Sequence, residues 1–580
     1  MGREIAEGAL IKSVAMRDPV PNSGEPRVHA NPDSARSKHT AIWLAGFALL
    51  CFVYFLPRWH DWNQDARLDV VLAVVNHQTY AINAYHRNTG DADYVKSTGL
   101  YYSNKAVGQS LLGVPVYVAF KAGLAIPPIR SVVNALERNS AWNSALHDAG
   151  CPTTNKHDPC RFIPPRLDFA LLQYLESILT DAVPAVLLLL LFFWFLGYFS
   201  DSLSNRALLT LALGLATIVF PYAQLFYSHV PAAALDFAGF VLVYIGGLSV
   251  VNPRHGTKWL KDHPSVTALL AGLALGLSIV FEYPSALIVA CVGVYALFRL
   301  PRAQIAALVG GMLPPLAVIM SYNYAAYHDP FTTGYGCDEV VFHQECAGIA
   351  GFTWPPSGKA IRDMSVGRYR GLFFLSPFLL LAFPGYFLWF IRSKRDWATP
   401  AVCLAIPLVF FSAISMYWGW NGGQVAGPRY LMELVPFLAL PVIFVLDRLR
   451  TVPAKAAVYA LVAVSVVNVW VETIGGRSFA AGPVRDSLFD YSFPQLFGDH
   501  LPLNLGRFLG LANPVNLLPL AVLLIVWSLG MLLLFKTDAD PNLSIVPTTL
   551  GRSEAATAAS SDLLGSSGLP RRDVPSTAPD

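Results

Sequence analysis

The chain has 580 residues, of which 54% are hydrophobic, 12% aromatic and only 14% charged, and its mean hydropathy is +0.46. Soluble domains carry about 25% charged residues, so this composition excludes an ordinary water-soluble globule and points to lipid. A formal net charge of +3, scattered along the chain, also excludes nucleic acid as an electrostatic partner.

Residues 1–40 are polar and rich in Pro, Ser and Arg. They read as a disordered cytoplasmic leader rather than a cleavable signal, because the first apolar run, Ala41–Leu56, comes late and no small-residue cleavage site follows it. A helix needs about 20 apolar residues to cross a bilayer core. Runs of that kind fall at 41–57, 168–198, 206–221, 229–249, 265–281, 284–299, 304–322, 370–391, 398–416, 430–446, 455–471 and 515–535. They predict an all-α polytopic bundle of about twelve transmembrane helices within a membrane domain at 41–536. The tail, 537–580, is rich in Ser, Ala, Pro and Asp and reads as disordered and cytoplasmic. Ser110–Ala125 is apolar too, but it is placed as a juxtamembrane helix on the outer interface, with Lys121 snorkelling. If it crossed, every later loop would invert. No internal repeat is visible.

Lys and Arg in short loops set the orientation. The basic loops NPRHGTKWLKDH, RLPR, RSKRDW and DRLRTVPAK alternate with loops that are long, acidic or aromatic. With the basic loops inside, both termini are cytoplasmic. The segments 58–167, 323–369, 417–429 and 472–514 then lie outside, the first of them as a long first extracytoplasmic loop. Cysteines test this independently. Cys51, Cys291 and Cys403 lie in apolar runs as small buried hydrophobes. Cys151 with Cys160, and Cys337 with Cys346, form two pairs of equal spacing in loops placed outside. Disulfides persist in oxidising compartments, so two disulfides are predicted in preference to free thiols. A zinc site from Cys337, His343 and Cys346 is the less favoured alternative.

The residues able to carry chemistry gather near outer span ends. Asp61, Asp65 and Asp69 follow the first span, and Asp65 and Asp69 share one face of a helix. They read either as an acidic helix start, favoured by the macrodipole, or as a carboxylate poised as general base. Lys105 sits in a polar turn beside Tyr101, Tyr102, Ser103 and Asn104, where it either snorkels or meets a phosphate as a point charge. Gly108 lets backbone approach closely. His229 and Glu282 lie at outer span ends. An ionisable residue at membrane depth marks function by default, although a glutamate at a helix end near water needs no function. Asp181 and Asp236 fall inside spans as candidate polar contacts between helices. Arg368 and Arg370 at an outer span start run against the positive-inside bias and ask for a negative partner. Arg429 and Glu433 stand four apart: either an intrahelical pair worth about a few tenths of a kcal/mol, or part of a cationic site for a lipid phosphate or pyrophosphate.

Asp65-x-Arg67 after the first span, then a tyrosine-rich segment ending in Lys105-Ala-Val-Gly108, resembles the lipid A aminoarabinose transferases and their dolichyl-phosphate-mannose-protein mannosyltransferase-like relatives. These belong to the GT-C class of membrane glycosyltransferases. GPRYL at 427–431, YSH at 227–229 and EYP at 282–284 resemble a bacterial branch of that class. The resemblance spans most of 41–450 and rests on the motifs as a set.

It implies a polytopic fold with juxtamembrane helices in the first outer loop. It also implies inverting transfer of a sugar from a polyprenyl-phosphate donor to a glycan, lipid or protein acceptor on the outer face of a bacterial cytoplasmic membrane. Carried over by residue, Asp65 deprotonates the acceptor and Lys105 holds the donor phosphate. Arg429, Arg368 and Arg370 are added here as further cations for that phosphate, and Arg67, Tyr102, His229 and Glu282 as further site candidates. Two departures stand out. The acidic pair of many relatives is here Gln64–Asp65, so a second carboxylate is sought among Asp61, Asp69 and Asp91. The proline of the lysine motif is Val107. These departures leave a divalent ion open as cofactor. The competing readings are a polyprenyl-lipid transporter or flippase and an envelope-assembly subunit. Against transport stand the lack of an inverted repeat and the gathering of polar residues in outer loops rather than at the midplane.

Overall fold

The computed structural model describes residues 35–56, 62–139, 167–248, 258–335, 348, 351–393, 396–476, 479–480, 484–498 and 501–539. The chain divides into Met1–Phe535 and Lys536–Asp580, and the features below belong to the first unit. The described residues are mainly helical, and their one sheet is a two-stranded antiparallel ribbon, β1 (Tyr94–Val95) on β2 (Leu100–Tyr101).

Among the described residues, seven helices are long and apolar enough to cross a membrane: Ala170–Leu196, His229–Gly246, Pro264–Phe281, Arg302–Tyr327, Ala398–Met416, Val452–Ile474 and Val515–Leu533. Each matches a predicted run. The other five predicted runs are also helical but differ in kind. Leu203–Leu215, Ser285–Arg299, Pro377–Arg392 and Val435–Leu446 are short apolar helices, and Ala35–Val53 opens on the polar Arg36, Ser37, Lys38 and His39. Prolines account for two of the interruptions. Pro377 restarts the chain after a break at Ser376, and Pro436 and Pro441 divide the segment after Arg429 into two single turns, because proline removes an N–H and clashes with the preceding turn.

Small residues set the tightest packing. A Cβ on Gly272 would collide with the Leu308 carbonyl, one on Gly276 would meet the Met312 backbone, and one on Gly311 would collide with the Leu269 carbonyl. Gly272-x-x-x-Gly276 therefore lets the Pro264–Phe281 and Arg302–Tyr327 spans touch backbone to backbone, as in other membrane helix pairs. His229–Gly246 is the central span, with 72% of its apolar window buried, against 22% for Arg302–Tyr327 and 17% for Val515–Leu533. Phe195 packs edge to face against Phe237, Phe240 and Tyr244 of this central span, a geometry that ring quadrupoles favour.

The two ends of the bundle differ in chemistry. At one end the basic loops are tied together: Arg299 pairs with Asp396 at 3.0 Å, and Asp447 accepts from Ser200 and Asn205 at 2.8 and 2.9 Å. His229, Glu282 and Arg429 meet at the opposite end. The helix at Gly108–Leu124 covers the predicted juxtamembrane segment and turns by 92° into Pro127–Glu137. Pro127 and Pro128 stand at that corner, and Ile126, Ile129 and Val132 are exposed beyond it. Asp181 forms the expected contact between helices, accepting from Gln109 and Thr180 at 2.7 and 2.9 Å. Cys151, Cys160, Cys337, Cys346 and His343 lie outside the described residues, as does Asp61. Cys51, Cys291 and Cys403 are free thiols.

Candidate functional site

Trp62–His77 is buried through Gln64–Ala73, unlike a solvated acidic helix. Gln64 accepts from the Phe226 N–H at 3.0 Å, and the Arg67 carbonyl accepts from Ser110 at 2.9 Å. These bonds lock the helix against both the Gly108–Leu124 helix and the Phe226–His229 segment. Arg67 then projects into the bundle end, where its Nη2 donates to Ser228 Oγ at 2.7 Å and Glu282 Oε1 at 3.1 Å. Both charged side chains are almost fully buried. A buried pair of this kind gains only modest net energy when intact, but removing one partner costs about 3–5 kcal/mol.

The Tyr227-Ser228-His229 triplet organises what surrounds that pair. Ser228 also donates to Glu282. His229 Nδ1 lies 3.0 Å from Glu433 Oε1 and 3.5 Å from Glu282 Oε1, so the imidazole bridges two glutamates from different elements. The Tyr227 ring stands between two cations, with the Arg67 guanidinium 5.6 Å and the Arg429 guanidinium 5.8 Å from its centroid. Such ring–cation contacts are attractive, more so when desolvated. Arg429 also donates to the Tyr430 hydroxyl at 2.8 Å. Arg429–Leu431 is a 3-10 turn rather than α-helix, so Arg429 and Glu433 reach different partners instead of forming an i, i+4 rung.

Lys105 approaches from the first outer loop. Its turn is fixed by Tyr322, whose hydroxyl donates to the Ser103 carbonyl at 2.6 Å, and by Asp93, which accepts from the Asn104 N–H at 3.4 Å. Two glycines admit the turn: a Cβ on Gly334 would strike the Asn104 backbone, and one on Gly108 would press on Val280–Phe281. Lys105 Nζ lies 5.9 Å from the Tyr335 centroid. Tyr335, Tyr417 and Tyr430 follow edge to face at 6.0 and 5.7 Å, joining Lys105 to Arg429. Beneath this run is a cavity of about 350 Å³ whose lining includes Tyr283, Leu287, Tyr335, Ile414, Tyr417 and Tyr430. It lies at the site-side ends of Ser285–Arg299 and Ala398–Met416.

Asp65 and Asp69 are both buried on the carboxylate face of their helix. Asp69 accepts from Asn88 at 2.7 Å. Burial pushes its carboxyl well above the ordinary aspartate range, and the charge of Asp93 adds to the rise. Burial also raises Asp93, against hydrogen bonds from Thr89 and Asn104 and the charge of Lys105. The carboxyl whose charge Asp69 feels is thus Asp93, which the sequence did not single out. Asp91 has φ +65°, is more than half exposed and pairs with His86. The only trace of this in the sequence is the Asn-Thr-Gly-Asp turn, whose Gly and first Asp suit left-handed backbone and leave the next Asp to point inward.

A carboxyl raised in the fold favours the protonated protein, so its contribution to stability falls as pH rises from the unfolded value toward the raised one. Asp69→Asn is expected to flatten the decline of melting temperature above pH 4, and an unchanged slope in thermal unfolding scans would remove Asp69 as its source.

The other candidates are placed elsewhere. Arg368 is exposed and stands 3.7 Å from Asp486. Arg370 is fully buried and donates to the carbonyls of Gly423, Ala480 and Asn421. Tyr102 is buried, its N–H donates to the Asp93 carbonyl at 3.0 Å, and burial raises its phenol. Among the described residues, no group of three His, Cys, Asp or Glu side chains could hold a metal ion.

No family model matches the chain, and no curated protein matches it. Solved structures do. ArnT from Cupriavidus metallidurans in the apo state is 14% identical, with 72% of this chain and 61% of that chain covered and a TM-score of 0.39. The same protein bound to undecaprenyl phosphate is 14% identical over 86% and 76% of the two chains, with a TM-score of 0.41. The oligosaccharyltransferase of Archaeoglobus fulgidus in the apo form is 12% identical over 78% and 57%, with a TM-score of 0.40. The match to the first of these spans less than two thirds of that protein's length. The chain is similar to these solved proteins at low identity.

Proposed function

We propose that the protein is a membrane glycosyltransferase that moves a sugar from a polyprenyl-phosphate donor to an acceptor hydroxyl, with inversion, on the extracytoplasmic face. One observation carries this reading. Two cations far apart in the sequence, Lys105 and Arg429, are joined by an aromatic run that lines an apolar cavity. A phosphate with a prenyl tail has that pattern of charge and grease. The arginine fork matches phosphate oxygens, and Lys105 adds a point charge. Arg67 is already matched by Glu282 and serves to set Tyr227 and His229.

In the reaction, the acceptor oxygen bonds to the anomeric carbon as the bond from that carbon to the phosphate oxygen breaks. Asp65 takes the acceptor proton. The polyprenyl phosphate leaves with the bonding pair, and its added negative charge is met by Lys105 and Arg429. The prenyl tail of the donor suits the apolar lining of the cavity. The positive-inside bias of the basic loops supports an outward orientation for this end of the bundle. A divalent ion is tested in the same assay: turnover retained in chelator means that the two cations suffice, and turnover lost means that a metal shares the phosphate.

The test is turnover in nanodiscs with polyprenyl-phosphate-linked sugars. Lys105→Ala is expected to weaken binding of undecaprenyl phosphate by about 10-fold or more, the loss of one charge-assisted contact of about 1.5–3 kcal/mol. Native affinity in that variant removes Lys105 from the donor site. Tight lipid binding by the native protein, with no turnover on any sugar, would favour a flippase instead.

A further inference from the structure

Arg370 was expected at the phosphate, yet its side chain is fully buried and spent on backbone. Its Nη2 donates to the Gly423 carbonyl at 2.8 Å and the Ala480 carbonyl at 2.9 Å, and its Nε donates to the Asn421 carbonyl at 3.3 Å. Its Nη1 stands 3.8 Å from Glu472 Oε1. The same Glu472 oxygen accepts from the Gly427 N–H at 3.4 Å. A third tether comes from Gln424, which donates to the Phe479 carbonyl at 3.0 Å. The loop at 421–427 is thus held at both ends and in the middle.

That loop needs holding. Gly422, Gly423 and Gly427 have φ of +70°, +78° and +53°, a region that glycine enters freely and that leaves the chain entropically loose. The loop also lies directly on the donor-site cation: a Cβ on Gly422 would sit 3.1 Å from Arg429 Cγ and Nε. The backbone of the loop therefore forms one wall of the slot that aims the Arg429 guanidinium between Tyr227 and Tyr430.

We infer that Arg370 and Glu472 form a buried staple that clamps the glycine-rich loop and so positions Arg429 for the donor phosphate. They are positioning residues, acting through the loop. The inference rests on the donor reading above for its functional half, while the clamp itself can be read without any lipid. Only arginine suits the role, because its planar fork reaches several carbonyls at once and lysine offers a single point charge. Glu472 both neutralises that buried fork and takes the Gly427 amide.

The experiment uses the full chain in nanodiscs, with Glu472→Gln, Gln424→Ala, Arg370→Lys, Arg429→Ala and the double variant Glu472→Gln/Arg429→Ala. Two quantities are read: amide hydrogen exchange across 421–427, and the Kd for undecaprenyl phosphate. Glu472→Gln keeps the shape of the side chain and Gln424→Ala touches no buried charge, so the question survives if Arg370→Lys fails to fold. Exchange in the loop is expected to rise by about 10-fold in Glu472→Gln, while exchange in the Val452–Ile474 helix core stays native. The Kd is expected to rise about as far as in Arg429→Ala, and the double variant to bind no worse than Arg429→Ala alone, because residues acting as one unit are not additive. Turnover in Glu472→Gln is expected to show a raised donor KM together with a lowered kcat, because Arg429 also meets the charge on the leaving phosphate.

Additive losses in the double variant, or native exchange in the loop of Glu472→Gln, overturn the inference. Faster exchange in the loop with native binding by Arg429→Ala overturns the donor reading, and the functional half of the inference falls with it.

Discussion

Asp65→Asn is expected to lower sugar transfer by about 10²- to 10⁴-fold, the contribution typical of a positioned general base, while the Kd for undecaprenyl phosphate stays native. The substitution is nearly isosteric, and the helix that carries Asp65 is held by neighbours, through Gln64 on Phe226 and Ser110 on the Arg67 carbonyl. The fold should therefore survive. The donor cations Lys105 and Arg429 stand on other elements, so donor binding and proton removal should separate cleanly in this variant. Single-turnover measurements with saturating donor read the effect directly. Transfer within a few-fold of native would show that the acceptor proton goes elsewhere, and Asp69, one turn along the same face, would be the next residue to replace.

Glu282→Ala is expected to be the most damaging single change to stability, with a cost of about 3–5 kcal/mol. It strands the Arg67 guanidinium in a site that is almost fully buried and removes an acceptor from Ser228. It also takes away one of the two glutamates that flank His229. The converse is equally specific. Because paired buried charges give up much of their attraction to desolvation, replacing both partners with apolar residues of similar size, in Arg67→Met/Glu282→Leu, should recover much of the lost stability and none of the activity. Melting temperatures of the single and double variants in the same detergent decide this. A double variant less stable than Glu282→Ala would mean that Arg67 is held by more than its carboxylate.

Membrane character followed from composition alone, because apolar runs of bilayer length leave few other solutions. Among the described residues, seven of the twelve runs are helices long and apolar enough to cross a membrane. Interruptions were harder to see. Hydropathy sums over a window and is blind to where Pro377, Pro436 and Pro441 break the hydrogen-bond ladder. His229, Glu282 and Arg429 were legible as ionisable residues at span ends, since burying charge in lipid is costly enough to need a reason, whereas Arg67 was flagged only through the Asp65-x-Arg67 motif.

Pairing was not legible. The spacing of Arg429 and Glu433 suggests one helical rung, yet a 3-10 turn sends them to Tyr430 and His229. Asp91 and Asp93 look equivalent in the sequence, and a left-handed turn at Gly90–Asp91 leaves Asp93 to be the one buried. Arg370 and Arg368 look like two ligands for one phosphate, and the fold spends the first on the backbone of a glycine loop and leaves the second in solvent. The sequence by itself determined that this is a membrane bundle with its ionisable residues gathered toward span ends and loops, because transfer free energies are local and additive along the chain. Only the tertiary structure decided which charge meets which, because a partner for a buried charge is chosen by distance in space, and the partners here lie up to hundreds of residues apart in sequence.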